Sequence, residues 1–422
     1  MSGDRSGGAS PLGPAFDLLA AYEPRGGCFF EREGLGVSAS LGPGAIEIGP
    51  VPHLRALARA TLAVLRGSPM SGPMSGPMAG RGAPPPVAMG ALPFDARPAS
   101  LLVPDRAVRR TDGGETWLLD RPGVAESDVP SFRPERVTGD LPHEAFRPVQ
   151  LTEEPTQAGY GRAVTVAVER IAGSELEKVV LARTLAVDAG RTLDARRLLH
   201  RLRAVEPHCF TFAAPVDDGI LVGASPELLL SRRGSVVRSM PLAGTAPRAG
   251  DPDEDRANAE ALAASSKDRE EHAIVVESVA EALGACCDDL RWDREPVLEP
   301  TANVWHLATR FEGRLRDPAV TALDLVAELH PTPAVCGTPR SAARATIAEL
   351  ERFDRGSYAG PVGWMDAAGD GEWAIALRCA RLDGERATLF AGAGIVAASE
   401  PSAEIDETDR KFRAFLDSLR WG

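Results

Sequence analysis

Apolar and polar residues follow two different periods along the chain from about residue 151 onward. Stretches with an apolar residue at every third or fourth position predict amphipathic helices, and dense runs of β-branched residues predict strands. The predicted helices cover 161–173, 194–205, 266–286, 322–329 and 402–419. The predicted strands cover 177–187 and a strand-turn-strand unit at 219–238. Because strands alternate with helices but often arrive as hairpin pairs, the pattern favours an α+β fold with antiparallel sheets.

The first 150 residues are less regular. Residues 68–90 contain the repeat PMSGPMSGPMAG and then three prolines, a composition that predicts a low-complexity surface loop. Residues 100–150 are rich in proline and arginine, which predicts short strands with irregular links. We therefore expect 1–150 to be the N-terminal portion of one domain, with the loop at 68–90, and 151–420 to be its regular region.

The composition argues against several classes of protein. A formal net charge of −13 disfavours binding to nucleic acid or to an anionic membrane. There is no apolar run of about 18 residues, the length of a transmembrane helix, and residues 1–14 lack the pattern of a signal peptide. The six cysteines show no metal-binding spacing, which is typical of reduced thiols. We expect a cytoplasmic protein.

Lysine is rare in this chain. Only three of the 47 basic residues are lysine, namely Lys178, Lys267 and Lys411. A lysine amine is compact and can lose its proton, which an arginine guanidinium cannot do. Where lysine persists in so arginine-rich a chain, its chemistry can be required at that position; chance placement is the alternative.

The long helix at 266–286 carries acidic residues on its apolar face. Glu271 lies in one row with Val275 and Val279, and Asp268 shares that face. A carboxylate at the head of an apolar row is costly to bury unless it is paired or bound to a metal ion. This helix therefore presents two acids toward the interior.

The last helix repeats the arrangement. Glu404 and Glu407 are neighbours on one face, and Lys411 and Phe415 continue the Glu407 row. Two helices that each present two acids can hold an oxygen-preferring cation such as Mg²⁺. Spacing alone leaves an alternative open, in which the acids only favour their helix dipoles and Glu407–Lys411 is a surface pair.

Ten segments together resemble the family of chorismate-binding enzymes. This family includes isochorismate synthase, salicylate synthase, anthranilate synthase component I and aminodeoxychorismate synthase component I, and the chain is most similar to the isochorismate synthases. The resemblance is strong over 150–420 and weak before it. The segments, in family order, are GALPFD (90–95), EKVVLAR (177–183), GASPELLL (223–230), PLAGTAPR (241–248), KDREEH (267–272), VWHLATRFEG (304–313), HPTPAVCGTP (330–339), YAGPVGW (358–364), IALRCA (375–380) and GAGIVAASEPSAEIDET (392–408).

The resemblance implies a fold and a reaction. The fold is a two-lobed antiparallel β-sheet core with helices packed outside and the active site between the lobes, and 151–420 is its catalytic region. The reaction is the Mg²⁺-dependent conversion of chorismate to isochorismate, in which water attacks C2 while the C4 hydroxyl departs. Such a reaction needs a base on one side of the ring and an acid on the other.

The resemblance also implies the role of each residue. Lys178 matches the general base that activates water, which requires a neutral amine, and Glu227 matches the general acid. If so, Lys178→Gln should abolish hydration and spare Mg²⁺ affinity. The implied Mg²⁺ ligands are Glu271 and Glu407, with Asp268 and Glu404 as nearby or water-mediated contributors. Asp268 stands where many relatives carry glutamate, which argues against direct ligation.

The implied substrate site uses guanidinium, amine and backbone groups. Arg378 and Tyr358 match the positions that bind the enolpyruvyl carboxylate, and Lys411 matches a lysine that binds a substrate carboxylate. His306 matches a histidine near the ring, although a core histidine is an alternative. Backbone N–H groups and pocket walls are implied for Gly392, Gly394, Ala243, Gly244, Thr245 and Ala334.

A few positions separate the reactions within the family. Relatives that add ammonia usually carry glutamine where Lys178 stands, and aminodeoxychorismate synthases place a lysine where Ala243 stands. We therefore expect no glutaminase subunit, and we expect a monomer whose product feeds siderophore, menaquinone or related aryl-acid biosynthesis. Salicylate synthases tend to carry threonine where Ala334 stands, which favours isochorismate over salicylate as the product. A non-catalytic subunit or ligand sensor is the alternative of another class.

Overall fold

The computed structural model describes residues 9–13, 16–24, 26–42, 45–67, 83–121, 148–217 and 219–419. Within these ranges the helices are α1 (Leu54–Gly67), α2 (Gln157–Gly173), α3 (Ala195–Val205), α4 (Pro252–Ala264), α5 (Ser266–Cys286), α6 (Ala322–Leu329), α7 (Arg340–Leu350) and α8 (Pro401–Leu419), with a short 3-10 helix at Leu18–Ala21. The strands are β1 (Ala9–Leu12), β2 (Cys28–Arg32), β3 (Leu35–Ser40), β4 (Ile46–Val51), β5 (Val87–Ala91), β6 (Ala99–Val103), β7 (Arg106–Arg110), β8 (Thr116–Asp120), β9 (Gln150–Glu154), β10 (Lys178–Asp188), β11 (Phe210–Val216), β12 (Gly219–Ser225), β13 (Leu228–Arg233), β14 (Val236–Met240), β15 (Leu242–Pro247), β16 (Cys287–Trp292), β17 (Val297–Pro300), β18 (Val304–Ala308), β19 (Phe311–Leu315), β20 (Gly337–Thr338), β21 (Pro361–Asp366), β22 (Gly371–Ile375), β23 (Cys379–Asp383) and β24 (Arg386–Ile395).

The strands form two large sheets and one small sheet. The first large sheet has the order β1-β8-β7-β3-β2-β11-β12-β23-β24-β10-β20, with β9 also paired to β10. The second has the order β16-β19-β14-β13-β22-β21-β5-β6-β4, and the small sheet is β15-β18-β17. All strand pairs between described residues are antiparallel, which confirms the predicted α+β class. Strands from the first 150 residues pair directly with later ones, for example β2 with β11 and β5 with β21.

The two faces of the first sheet enter two different apolar cores. Phe212 and Leu221 belong to the core between the two large sheets, whereas their neighbours Ala213 and Val222 belong to a core that includes residues of α3 and α8. Successive residues of a strand point to opposite faces, so a strand buried on both faces shows no polar alternation. This explains why β12 carries apolar residues in succession at Ile220, Leu221 and Val222.

The predicted helices are all present. Helices α5 and α6 have the predicted bounds, α3 begins after its cap Asp194, and α2 begins four residues early at Gln157, where the Thr156 side chain caps it. In the part of the chain that the structure describes, three helices were not predicted, namely α1, α4 and α7. The buried residues of α1 include Leu57 and Leu65, a helical spacing that the sequence already contained.

Two predictions about strands and loops need correction. The loop predicted at 68–90 is wrong at its end, because 87–90 belong to β5, which lies between β21 and β6. Residues 68–82 lie outside the described residues. The unit at 219–238 contains three strands rather than two. Strand β5 is buried along most of its length, so it lacks the alternation that would have separated it from the low-complexity stretch before it.

Among the described residues, none of the helices is both long and apolar enough to cross a bilayer. The six cysteines are all free thiols.

A buried ion pair joins the two large sheets. Arg109 of β7 contacts Asp366 at the end of β21, with Nη1 3.0 Å from Oδ2 and side chains that are 9% and 2% exposed. The Arg109 guanidinium also lies over the Trp364 ring, 4.2 Å from its centre. Burial lowers the pKa of Arg109 and raises the pKa of Asp366, which reflects the cost of taking both charges out of water.

We expect Arg109→Met to lower the free energy of unfolding by about 3–5 kcal/mol, because Asp366 would be left as an unpaired buried charge. The double variant Arg109→Met/Asp366→Asn should recover most of this loss, because it removes both charges. The control is Arg97→Met, which breaks the exposed pair of Arg97 with Asp95 and Asp354 and should cost about 1 kcal/mol or less. Chemical denaturation measures all of these variants. A double variant as unstable as the single one would contradict the charge explanation.

Candidate active site

One cavity brings most of the predicted site residues together. Strands β10, β15, β18 and β24, the turn after β12 and helices α5 and α8 contribute to its walls. The predicted residues that line it are Glu227, Ala243, Gly244, Thr245, Asp268, Glu271, His306, Ala334, Tyr358, Arg378, Gly392, Gly394, Glu404, Glu407 and Lys411.

Lys178 is the predicted site residue that does not line this cavity. It is the first residue of β10 and is fully buried, while Val180, on the same face of the strand, does line the cavity. Lys178 Nζ lies 2.9 Å from Glu271 Oε1 without the angles of a hydrogen bond. The Glu271 carboxylate must therefore move before the amine can reach the cavity.

Gly394 accounts for the close approach of these two groups. A Cβ added at Gly394 would overlap the Glu271 carboxylate and would lie 3.1 Å from Lys178 Cε. The glycine thus makes room for the Glu271–Lys178 pair, which is a different role from the oxyanion contact that the resemblance implies.

Glu227 is placed to act as an acid. It follows the Ser225–Pro226 turn between β12 and β13, where its backbone N–H donates to Ser225 Oγ at 3.3 Å, and its side chain is buried. Burial raises the pKa of Glu227 to about 8, although the backbone N–H of Leu242 and the charge of Lys178 oppose that shift. A carboxyl group with this pKa is protonated at neutral pH and can donate its proton.

A serine fixes Asp268 at the start of α5. Ser265 ends α4 and caps α5, because its side chain accepts from the Asp268 backbone N–H at 3.2 Å. The Ser265 hydroxyl also donates to Asp268 Oδ2 at 2.5 Å. Val275 and Val279 are buried in the same row as Glu271, so the predicted inward face of α5 is confirmed.

The acids of α8 face the same cavity. Lys411 Nζ donates to Glu407 Oε1 at 2.5 Å, and both side chains are largely buried rather than on the surface. Glu404 is buried and accepts from Lys267 Nζ at 3.2 Å. Burial and the negative charge of Glu407 raise the pKa of Glu404. Two acids are therefore held close to each other on this helix.

All three lysines of the chain thus contact the predicted carboxylates. The pairs are Lys178 with Glu271, Lys267 with Glu404 and Lys411 with Glu407. Burial would lower the pKa of Lys267, but the charges of Glu404, Glu271 and Asp268 raise it instead. Lys267 therefore lies among acids from both helices, which means that the acids of α5 and α8 border one space.

These acids have the chemistry of a Mg²⁺ site. Among the described residues, no three His, Cys, Asp or Glu side chains converge as a ready set of ligands, because the carboxylates turn toward lysines. The donors are all carboxylate oxygens, which Mg²⁺ prefers. Burial and, after it, the like charge of Glu407 raise the pKa of Glu404, and a divalent cation would relieve the repulsion between these two acids. The residues therefore fit the metal.

A neutral histidine orients the predicted carboxylate-binding arginine. His306 Nδ1 lies 3.2 Å from the Gly244 carbonyl oxygen, which only accepts, so we assign the proton to Nδ1. Arg378 Nη2 then donates to His306 Nε2 at 3.0 Å. Burial and the charges of Arg378 and Lys411 hold the pKa of His306 well below its ordinary value. The ring therefore stays an acceptor that fixes the guanidinium in the cavity.

Backbone geometry helps to place these groups. Gly244 has φ of +74°, where the pairing of β15 with β18 shifts register, and a Cβ there would lie 3.1 Å from Asp268 Cβ. This conformation suits glycine and aims its carbonyl at His306. On β24, the Gly392 carbonyl accepts from Lys411 Nζ at 2.7 Å.

Tyr358 lies on the aromatic side of the cavity. Its ring stacks on Phe390 at a centroid distance of 4.9 Å, and the Arg355 guanidinium lies 5.9 Å from its centre. Burial raises the pKa of Tyr358. Its hydroxyl therefore stays protonated and is available as a donor in the cavity.

An ion pair supports the strand that carries Lys178, and the sequence did not reveal it. Glu351 Oε1 accepts from the Ala182 backbone N–H at 2.8 Å, and Arg355 donates to the carbonyls of Val180 and Val335 at 2.8 and 2.9 Å. Arg355 Nε also donates to Glu351 at 2.8 Å. These side chains bond the edge of β10 that lies opposite β24, in the gap between the segments paired with β20 and β9.

Several other residues that line the cavity were not predicted from the sequence. They are Lys267, noted only for its rarity, and the mainly apolar residues Val180, Pro226, Leu242, Val335, Ala359, Leu377, Phe390 and Ala391. Several of them lie inside or beside the motifs quoted above, and that position was the available signal. Nothing in their spacing separates a cavity wall from a core.

Comparison with known proteins gives a consistent result. Residues 134–420 match a family model described as chorismate binding enzyme. The chain is 45% identical over 349 residues to a putative isochorismate synthase MenF of Mycobacterium tuberculosis, covering 80% of this chain and 88% of that one. It is 42% identical over 341 residues to isochorismate synthase DhbC of Bacillus subtilis, covering 79% and 81%. The crystal structure of a putative 2,3-dihydroxybenzoate-specific isochorismate synthase, DhbC, from Bacillus anthracis aligns with a TM-score of 0.80 and 35% identity, covering 96% of this chain and 99% of that one.

The raised pKa of Glu227 predicts a pH-dependent stability difference. In the folded state Glu227 keeps a proton up to about pH 8, whereas the ordinary value of the unfolded chain is 4.5. Raising the pH between these values therefore favours unfolding of the wild type, by about 1.4 kcal/mol per pH unit from this group. Glu227→Gln removes the titration, so the stability of the variant relative to wild type should rise between pH 5 and pH 8.

Urea denaturation across this pH range measures the difference. The control is Glu281→Gln, which changes an exposed residue of α5 and should show no such trend. A Glu227→Gln difference that stays constant with pH would contradict the raised pKa.

Proposed function

The chain belongs to the chorismate-binding enzyme family, and we propose that it is an isochorismate synthase that converts chorismate to isochorismate with Mg²⁺. The observation that carries this proposal is the buried carboxyl of Glu227, whose pKa burial raises to about 8, in the same cavity as the acids of α5 and α8. An acid that is neutral at physiological pH suits departure of a hydroxyl group. The relatives named as isochorismate synthases support the same reaction.

The cavity offers a partner for each charged group of chorismate. The Arg378 guanidinium, oriented by His306, and the Tyr358 hydroxyl suit the enolpyruvyl carboxylate. Glu271 and Glu407 would hold Mg²⁺, with Asp268 and Glu404 beside them. The bound ion would supply positive charge for the ring carboxylate. Lys411, which also lines the cavity, adds a second cationic group.

The chain's own groups then move the protons. Water adds at C2 and gives a proton to the Lys178 amine, while Glu227 donates its proton to the C4 hydroxyl, which leaves as water. The Lys178 proton returns to Glu227 through solvent, so the net reaction is an isomerisation. Glu271 covers the Lys178 amine, so this step requires the carboxylate to move away from it.

Analysis of the products from chorismate also tests two alternative functions, a salicylate synthase and a non-catalytic sensor. Salicylate synthase would use the same base and acid and then eliminate pyruvate, but Ala334 gives the cavity wall no hydroxyl group at the position where those enzymes tend to carry threonine. A sensor would bind chorismate without consuming it. We further infer that the enzyme acts in the cytoplasm and that its product feeds siderophore, menaquinone or related aryl-acid biosynthesis.

Chromatographic analysis of the products from chorismate tests the proposal. We expect isochorismate in the presence of Mg²⁺, none after chelation, and no aminated product with added ammonium. Glu227→Gln should lower turnover by about 10²–10⁴, the usual contribution of a general acid. Salicylate with pyruvate, an aminated ring or unconsumed chorismate would each replace the proposed function by a different one.

The variant Lys178→Gln tests the role of Lys178 as general base separately from its effect on the cation site. Hydration should be lost, as the sequence predicted, but the 2.9 Å contact changes the expectation for Mg²⁺ affinity. Removing the amine beside Glu271 should tighten binding of the cation rather than leave it unchanged. Titration with Mn²⁺ measures this, and Glu227→Gln is the control that should lose turnover with unchanged affinity. Near-normal hydration in Lys178→Gln would remove this lysine from the reaction.

A further inference from the structure

Lys267 occupies the space between the acids of the two helices. It lies in the first turn of α5, and its Nζ is 3.2 Å from Glu404 Oε1 on α8. It lines the candidate cavity together with Asp268 and Glu271. A cationic group in this position balances the carboxylates that would otherwise repel each other.

The other two lysines are more firmly held. Lys178 is fully buried against Glu271, and Lys411 is tied both to Glu407 and to the Gly392 carbonyl. The Lys267 side chain is 37% exposed, and among the described residues its one hydrogen-bond acceptor is Glu404. Of the three lysines, Lys267 is therefore the one that can withdraw with the smallest loss of contacts.

A second cavity, which Lys267 also lines, could accommodate the displaced Lys267 side chain. It lies against the end of α2, the start of α5 and residues 396–398. The two cavities share Lys267 and Glu271 as lining residues. Glu177 and Glu270 also line the second cavity, so an ammonium that moves into it finds new carboxylates.

We propose that Lys267 is a built-in counter-ion of the Mg²⁺ site, which neutralises the acids in the cation-free protein and moves into the second cavity when Mg²⁺ binds. This inference rests on the cation site of the proposed function. Because the ammonium and the divalent ion compete for the same carboxylates, Lys267 sets the affinity of the site for the cation. Lys267 is thus a residue that tunes the site, and it does not act on the substrate.

Titration of the full-length protein with Mn²⁺, followed by electron paramagnetic resonance without chorismate, tests this inference. Lys267→Met keeps the length of the side chain and removes its charge. We expect its dissociation constant for Mn²⁺ to fall by about tenfold or more, because a like charge has left the immediate neighbourhood of the ion. The matched control is Arg269→Met, which removes a cation from the same helix turn that pairs instead with Glu295, and its affinity should equal that of the wild type.

A second measurement checks the cation-free state. In the presence of a chelator, Lys267→Met should unfold at a lower temperature than Arg269→Met, because the acids have lost a counter-ion, and Mn²⁺ should raise its melting temperature more than that of wild type. An unchanged or weaker Mn²⁺ affinity in Lys267→Met would overturn the inference and leave the isochorismate synthase proposal intact. Absence of Mn²⁺ binding in every variant would overturn both the inference and the proposed cation site. Tighter binding without any consumption of chorismate would support the inference and reject the proposed function.

Discussion

The candidate site depends on the balance between carboxylates and amines in one largely buried space. Two helices from different parts of the chain, α5 and α8, each direct two acids inward, and each of the three lysines contacts one of these acids. Buried carboxylates need positive partners, since the desolvation of an unpaired charge costs several kcal/mol or more. Lysine suits this place because a compact ammonium can be exchanged for a metal ion, whereas a rigid guanidinium is harder to displace.

Burial keeps both Glu227 and His306 uncharged, because it raises the pKa of the carboxyl group and lowers the pKa of the imidazole. Glu227 keeps its proton because burial raises its pKa more than the Leu242 backbone N–H and the charge of Lys178 lower it, while His306 stays neutral because burial and two nearby cations disfavour a further positive charge. One environment thus produces a donor at one wall and an acceptor at another. The acceptor fixes Arg378, so the direction of the guanidinium follows from the neutrality of the histidine.

The sheet architecture explains how these groups are held. The Arg355–Glu351 pair supplies hydrogen bonds to the edge of β10 that lies opposite β24, between the segments paired with β20 and β9, and so ties the strand of Lys178 to the turn that carries Val335. Gly394 lets Glu271 approach β24 closely enough to reach Lys178. The Arg355–Glu351 pair and Gly394 thus determine where Lys178 and Glu271 lie.

The sequence by itself determined the α+β class, the bounds of α5 and α6, the inward acids and most of the polar residues that line the cavity, but few of its apolar wall residues. These follow from periodicity and from motifs, which are local properties of the chain. It did not determine β5, buried by distant strands on both sides, or the contact that keeps Lys178 behind Glu271. Nor did it indicate a role for Lys267, whose partner Glu404 is far along the chain. Only the tertiary structure decided these points, because the pairing of charges, the protonation of Glu227 and the space available to a side chain depend on groups that folding brings together from remote positions.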